Sequence, residues 1–221
     1  QDGRVLVIGG YNGSMNRLQS AELYEPSTQT SVAVSPMSEV RMAHSASLLQ
    51  DGRVLIVGGS QSRGNILSSA ELFDPTTQTF SPVANLSTPR HKHAAITLPN
   101  GNVLIIGGSG AGDFDEQYST TESFDVRNLT FQPTATMQEE RFKISDAATL
   151  LADGNVLIAG SGMRAELYNT AANRFGEVGG SLGQELSYST ATRLENNQVL
   201  IAGGYTDSIQ ITNKTWLYES N

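Results

Sequence analysis

The sequence predicts an all-β repeat protein, and three observations carry that reading. A nine-residue phrase, DGRVLIVGG at residues 51–59, returns as DGRVLVIGG at 2–10, NGNVLIIGG at 100–108, DGNVLIAGS at 153–161 and NNQVLIAGG at 196–204. The copies start 43 to 53 residues apart, the self-similarity of an architecture in which small units must stack to bury their apolar faces. The apolar runs are short, rich in β-branched and aromatic residues, and bounded by Gly, Pro, Asn and Asp, which is how strands and hairpins read. No segment sustains a period of 3.6, so almost no helix is expected.

The second repeat shows the grammar in order. Arg41 and His44 lead into SASLL at 45–49, and the Asp51-Gly52 turn comes next. The following run, VLIV at 54–57, is apolar at consecutive positions, as a central strand covered on both faces must be. The pair Gly58-Gly59 ends it. A polar loop leads to AELF at 70–73, then a turn at Asp74-Pro75, then TQTFSPV at 77–83. AELYEP (21–26), TESFDV (121–126), AELYNT (165–170) and TWLYES (215–220) fill the third slot of the other repeats. Its aromatic residue (Tyr24, Phe73, Phe124, Tyr168, Tyr218) is expected to pack between repeats.

The apolar run ending in a Gly pair (Gly9-Gly10, Gly58-Gly59, Gly107-Gly108, Gly203-Gly204), the later Tyr or Phe, and the R-x-x-H lead-in resemble the kelch repeat. Specifically, they resemble the kelch units of the galactose-oxidase central domain, over essentially the whole chain. The resemblance implies a β-propeller of about five blades of four antiparallel strands around a channel. The first repeat begins at its second strand and the fifth stops after its third. Eighteen strands, divided 3, 4, 4, 4 and 3, are therefore expected in one domain over residues 1–221. The first and last blades are incomplete, and that seam suits lateral self-association. Gly160-Ser161 in place of a Gly pair makes the fourth repeat the least regular.

Charge and composition narrow the function. With 14 Lys+Arg against 22 Asp+Glu the net charge is −8, which argues against nucleic-acid binding. There is no cysteine, so disulfides, thiolate metal sites and cysteine nucleophiles are excluded, as is the cysteine-crosslinked copper chemistry of galactose oxidase. No apolar stretch is long enough to insert in a membrane, and the first residues enter a repeat without a signal-peptide pattern. The resemblance suggests a secreted protein. The four N-x-S/T sequons, at Asn12, Asn85, Asn128 and Asn213, are too near the chance number to add to that.

Function in a propeller collects on loops at one end of the blades. One loop set comes after the Gly pair: 11–20 from Tyr11, 60–69, 109–120, 161–164, and 205–214 from Tyr205. The other leads into the innermost strands: 35–44, 84–93, 134–145 and 179–187. Arg41, Arg90 and Arg141 recur in the second set. They either ring the channel mouth, where a guanidinium fork suits carboxylates, or tie their loops to a neighbouring blade through carbonyls. His44, His93, Asp146 and Ser189 share one column; it reads as a backbone-bonding position or, if the side chains converge, as a metal site. His91 stands close to it. GDFDE at 112–116 offers carboxylates in a glycine-rich loop but matches no complete calcium motif. No catalytic residue, metal or cofactor is assigned. The expected activity is a non-catalytic module binding a protein or glycan at the loop face through Arg41, His44, Arg90, His93, Arg141, Asp146, Tyr11 and Tyr205. The alternatives are a carbohydrate-active or small-molecule enzyme working with residues such as Glu139, Glu140 and Glu185, and a structural unit of an assembly.

Overall fold

The computed structural model describes residues 3–13 and 16–219. Asp2 of the first turn, Ser14 of the first sequon and Ser220 of the last aromatic run lie outside them. The chain divides into two compact units, residues 1–91 and 92–221.

The first unit holds two larger sheets. One is β1 (Val5–Ile8), β2 (Ala21–Glu25) and β3 (Thr30–Ala33), hydrogen-bonded in that order. The other is built on β4 (Ser45–Leu48) and β5 (Val54–Val57). The chain then makes a small hairpin, β6 (Ser60–Ser62) and β7 (Asn65–Ile66), before β8 (Ala70–Asp74) and β9 (Thr79–Pro82) complete the order β4-β5-β8-β9.

The second unit holds three. The third sheet runs β10 (Ala94–Thr97), β11 (Val103–Ile106), β12 (Thr121–Asp125) and β13 (Thr130–Pro133). The fourth runs β14 (Ala148–Leu150), β15 (Val156–Ile158), β16 (Glu166–Asn169) and β17 (Arg174–Glu177). The fifth runs β18 (Thr190–Arg193), β19 (Val199–Ala202) and β20 (Thr215–Tyr218). Every pairing is antiparallel. The larger sheets thus have 3, 4, 4, 4 and 3 strands, as the repeat spacing predicts, and the polar β6–β7 hairpin is an addition to it. The single helical turn among the described residues is a 3₁₀ turn at Asp113–Asp115. No helix there is long and apolar enough to cross a membrane.

Burial explains the apolar central strands. In the second unit Val156 and Ile158 of β15 pack with Leu104 and Ile106 of β11, while Leu157 between them turns the other way to join Val199 and Ile201 of β19. A strand with a sheet on either side has no face left for polar residues. In the first unit Leu23, Met37, Ile56 and Phe73 form the shared core of the first and second sheets. The third-slot aromatics also meet a ring on the next strand: Phe73–Phe80, Phe124–Phe131 and Tyr168–Phe175 all lie 4.9 Å apart. β1 differs. Leu6 and Ile8 face the core of the first unit, whereas Val5 and Val7 are 50% and 58% exposed.

The Gly pairs end the central strands for a steric reason. Gly59 has φ +94°, and a Cβ there would stand 2.8 Å from the Met42 carbonyl; at Gly107, φ +59°, it would collide with the Arg141 carbonyl. The left-handed backbone and the close carbonyl both require glycine.

The close approach at Gly107 belongs to a repeated arginine staple. The Gly10 N–H donates to the Arg41 carbonyl (2.7 Å), fixing the loop to the first sheet. The Arg41 side chain reaches the second. Nη1 donates to the carbonyls of Gly58 (3.0 Å) and Ser69 (2.9 Å), and Nη2 to Glu71 Oε1 (2.9 Å), Ser69 Oγ (3.0 Å) and Glu39 Oε2 (3.2 Å). The Ser38 N–H donates to the other Glu71 oxygen (2.9 Å). The second unit repeats the device. The Gly108 N–H donates to the Arg141 carbonyl (2.8 Å), and the Arg141 guanidinium donates to the carbonyls of Gly160 (2.7 Å) and Arg164 (2.6 Å) and to Glu166 Oε1 (3.1 Å). Arg41, Arg90 and Arg141 are all 0% exposed. A buried guanidinium is tolerated only when most of its donors are matched by acceptors, and the staples supply them to both terminal nitrogens of Arg41 and to Nε and both terminal nitrogens of Arg141, while Arg41 Nε is left without a partner.

The weight of the staple can be measured. Arg141→Ala leaves Glu166 and two carbonyls buried without their donor, a loss of about 3–5 kcal/mol. Arg141→Lys keeps the charge but not the fork, so its loss should be smaller though still measurable. Urea unfolding of both variants checks the order, and an unshifted midpoint for the alanine variant would remove the staple from the stability account.

Acid stability turns on His44, three residues past Arg41, whose Nδ1 is buried without a hydrogen-bond partner. Burial first, then the Arg41 charge, lowers its pKa from 6.5 to about 4. The unfolded imidazole takes a proton as pH falls below its ordinary value, while the folded one resists until about 4. Its contribution is therefore undiminished above pH ~6.5 and falls away through that window, by about 3 kcal/mol in all. His44→Gln should flatten that part of the stability–pH curve, measured by chemical unfolding at about pH 7 and about pH 4.5.

Candidate functional site

The staples set the direction of the chain beyond them. Two residues past each lead-in arginine the backbone is left-handed, with φ +53° at Ala43, +55° at Lys92 and +54° at Lys143; Tyr188, in the same slot of the next repeat, has φ +55°. A left-handed residue between a buried arginine and an inner strand turns its side chain away from the sheet and into the loops.

In the second unit this brings Lys143 into an aromatic surround. Its ammonium stands 4.0 Å from the centroid of the Phe114 ring, 4.6 Å from Phe142, 5.3 Å from Tyr205 and 6.0 Å from Tyr188. Phe114 and Phe142 meet edge to face at 5.0 Å, and Tyr188 lies 6.0 Å from Tyr205. The Tyr188 N–H donates to the Lys143 carbonyl (2.9 Å), which locks two of the contributing loops together. Lys143 is buried, yet Phe114 is 50% and Tyr188 47% exposed. The result is a half-exposed aromatic patch over a buried cation, an arrangement held by cation–π attraction.

The GDFDE loop supplies Phe114. Asp113 accepts from Lys92 Nζ (2.7 Å) and from Ser109 Oγ (3.2 Å), while Glu116 accepts from the Gly112 N–H (3.2 Å) and the Tyr118 hydroxyl (2.9 Å). Those bonds, the backbone N–H first, hold the Glu116 carboxyl below the usual range. Two carboxylates of this loop thus work within the chain, and the loop holds Phe114 in place. A further acidic group sits in the loops that lead into the innermost strands. The Glu185 carboxyl is pushed up by desolvation, then by the nearby charges of Asp207 and Glu139, against the opposing pull of Arg141.

The residues singled out in the sequence take different places. Arg41 and Arg141 hold loops to sheets with fully buried side chains, and Arg90, equally buried, accepts from the Gly59 N–H (3.0 Å) through its carbonyl. His93 is 2% exposed. Asp146 is exposed, with its carbonyl accepting from the Ala191 N–H (2.8 Å). Tyr11 is 57% exposed, on a backbone bridge to Arg17 in the first unit. Tyr205 alone of the eight joins the aromatic patch. No group of three or more His, Asp or Glu among the described residues is placed to hold a metal ion. Lys92, Lys143, Phe114, Phe142 and Tyr188 escape sequence reasoning. The signal that could have found the lysines and Tyr188 is the column two places after the lead-in arginine.

Comparisons with known proteins agree with this architecture. The kelch-motif family model matches residues 1–38 and 41–87, the stretches that carry the first two sheets. A solved structure described as "Structure of YjhT" matches with a TM-score of 0.76 and 17% identity, over 98% of this chain and 78% of that one. No curated protein matches. At that identity the likeness carries the fold alone: an all-β, multi-bladed, propeller-like fold related to kelch and YjhT structures.

Proposed function

We propose that this chain is a non-catalytic binding module that recognises a protein or a glycan through the loop face of its propeller-like fold. One observation carries the reading. Phe114 and Tyr188 stand half-exposed around a lysine that the fold has already buried and immobilised. Rigid, exposed rings next to fixed polar groups are the chemistry of a recognition surface, because they offer contact area with little conformational entropy to lose. Pyranose faces and apolar peptide side chains both stack on such rings. The cation and the neighbouring carboxylates supply orientation.

A second reading rests on Glu185. A carboxyl raised by desolvation and by neighbouring acidic groups is poised for general acid–base work, which would suit a carbohydrate-active enzyme. Glu185→Gln separates the two readings: a binding module keeps its ligand, and an enzyme loses turnover.

The test is a glycan array and a peptide library probed with the purified chain, followed by Phe114→Ala and Tyr188→Ala. Each substitution is expected to weaken the ligand found by about tenfold or more, with an unchanged unfolding midpoint. Binding untouched by both substitutions would move the site elsewhere. Product formation from a glycan, abolished in Glu185→Gln, would replace the binding reading with the enzyme.

A further inference from the structure

Lys92 and Lys143 occupy the same slot of successive repeats, two residues past a buried arginine, but their charges are met differently. Lys92 Nζ donates to both oxygens of Asp113 at 2.7 Å. Lys143 is the more deeply buried of the two, at 6% exposure, yet among the described residues no carboxylate, carbonyl or hydroxyl accepts from its ammonium. Ring faces meet it instead, the nearest being Phe114 at 4.0 Å and Phe142 at 4.6 Å. Ring faces attract a cation without supplying the opposite charge or the acceptors that its three donors can use. A buried charge left in that state is costly. The closed-off side-chain atoms that lack a partner lie elsewhere, at Arg41 Nε, His44 Nδ1 and Ser189 Oγ among others, so the Lys143 nitrogen keeps contact with solvent.

The rim of this site is aliphatic as well as aromatic. Tyr205 bridges Ile211 in antiparallel pairing, and directly opposed residues carry their side chains on one face. Ile211 therefore stands beside the Tyr205 ring, and it is 87% exposed; Ile209, in the turn of the same hairpin, is 75% exposed. Backbone bonds hold that turn: the Thr206 N–H donates to the Gln210 carbonyl (3.1 Å) and the Ile209 N–H to that of Thr206 (2.7 Å). Two isoleucines held out in solvent beside half-exposed rings pack little within the chain, and contiguous apolar surface of this kind marks protein contacts. Saccharides stack on flat rings, whereas a branched aliphatic side chain offers them no such face. Acidic groups stand close by. Asp207, on the Ile209 hairpin, and Glu139 act on the charge of Glu185, three residues before Tyr188, and the chain as a whole carries −8. One carboxylate is attracted to Lys143, but a run of them is repelled by these neighbours.

We infer that Lys143 receives a single carboxylate from a partner protein, an Asp or Glu side chain flanked by apolar residues that cover Phe114, Tyr188 and Ile211. The inference rests on the binding function proposed above and chooses the protein over the glycan as its ligand. The rings and isoleucines supply contact area, and the charge-assisted hydrogen bond to the ammonium sets the register of the bound segment. In the neighbouring repeat Asp113 does for Lys92, from within the chain, what the partner's carboxylate does for Lys143.

The probe is a phage-displayed library of random peptides, panned on the whole protein. Enriched sequences are expected to share one Asp or Glu between apolar residues, and the strongest is then synthesised, labelled and titrated by anisotropy. Replacing its acidic residue with the matching amide should weaken binding by about tenfold or more, and so should Lys143→Met in the protein. Combining the two should add little, because both remove one contact. Ile211→Ser, at an exposed position, should weaken binding severalfold with an unchanged unfolding midpoint. If Lys143→Met fails to fold, the amide peptide and Ile211→Ser decide on the unaltered and the folded chain. Peptide binding that is indifferent to the carboxylate, or to Lys143 in a folded variant, overturns the inference. If Phe114→Ala and Tyr188→Ala still weaken that binding, the binding module stands without it; a neutral glycan held at the same rings, with no peptide enriched, has the same meaning. Failure of every peptide and every glycan to bind overturns both.

Discussion

The buried arginine between consecutive sheets is the constraint on which most of this structure depends. A guanidinium at 0% exposure is costly unless its donors find acceptors, and the repeat supplies them from three directions. The first glycine of the pair offers its carbonyl, the residue before the third strand offers another, and the third strand places a glutamate at its second position. The arginine's own carbonyl meanwhile holds the second glycine of the preceding sheet. Several recurrent sequence features thus have one cause. Gly9 and Gly107 are needed because a Cβ would strike the carbonyl of the staple arginine, and the glutamate because the fork needs a carboxylate.

The same constraint reaches the loop face. With Arg141 anchored, the chain must turn back sharply to start β14, and it does so through the left-handed Lys143. That turn delivers the ammonium to the aromatic rings. The ring cluster is held by neighbours rather than by its own loops: Phe142 comes directly after the staple, and Asp113, beside Phe114, is pinned by Lys92 in the same repeat slot as Lys143. A patch assembled this way is held by contacts that need no ligand. Preorganisation of that kind reduces the ordering cost that a loop-borne site otherwise pays on binding.

How much of this is legible in the sequence depends on which features are periodic. The strand slots, the Gly pairs, the division 3, 4, 4, 4 and 3 and the recurrence of Arg41, Arg90 and Arg141 all repeat, so they can be read along the chain. The arginines could be read in two ways, as a mouth or as ties. Burial, which no spacing encodes, is what separates the two roles. The aromatic patch does not repeat. Phe114, Phe142 and Tyr205 come from loops of different length, and their convergence depends on three-dimensional stacking. The β6–β7 hairpin is illegible for another reason: SQS and NI are too polar and too short to carry a strand pattern. His44 is legible as a column position, while its depressed pKa belongs to its surroundings.

A repeat protein also contains its own reference states. The second and fourth sheets hold filled copies of a site whose acceptors the first sheet presents in the same register, so the exposed Glu22 can be compared directly with the buried Glu71 and Glu166. In the filled copies two forces act together, main-chain pairing to the central strand and the charge-assisted fork beyond its end. Neither alone would fix a register. Pairing tolerates a slip of two residues, which preserves the facing of side chains, and a carboxylate alone attracts any cation. Combined, they admit only a strand whose arginine lies the right distance ahead of its paired residues.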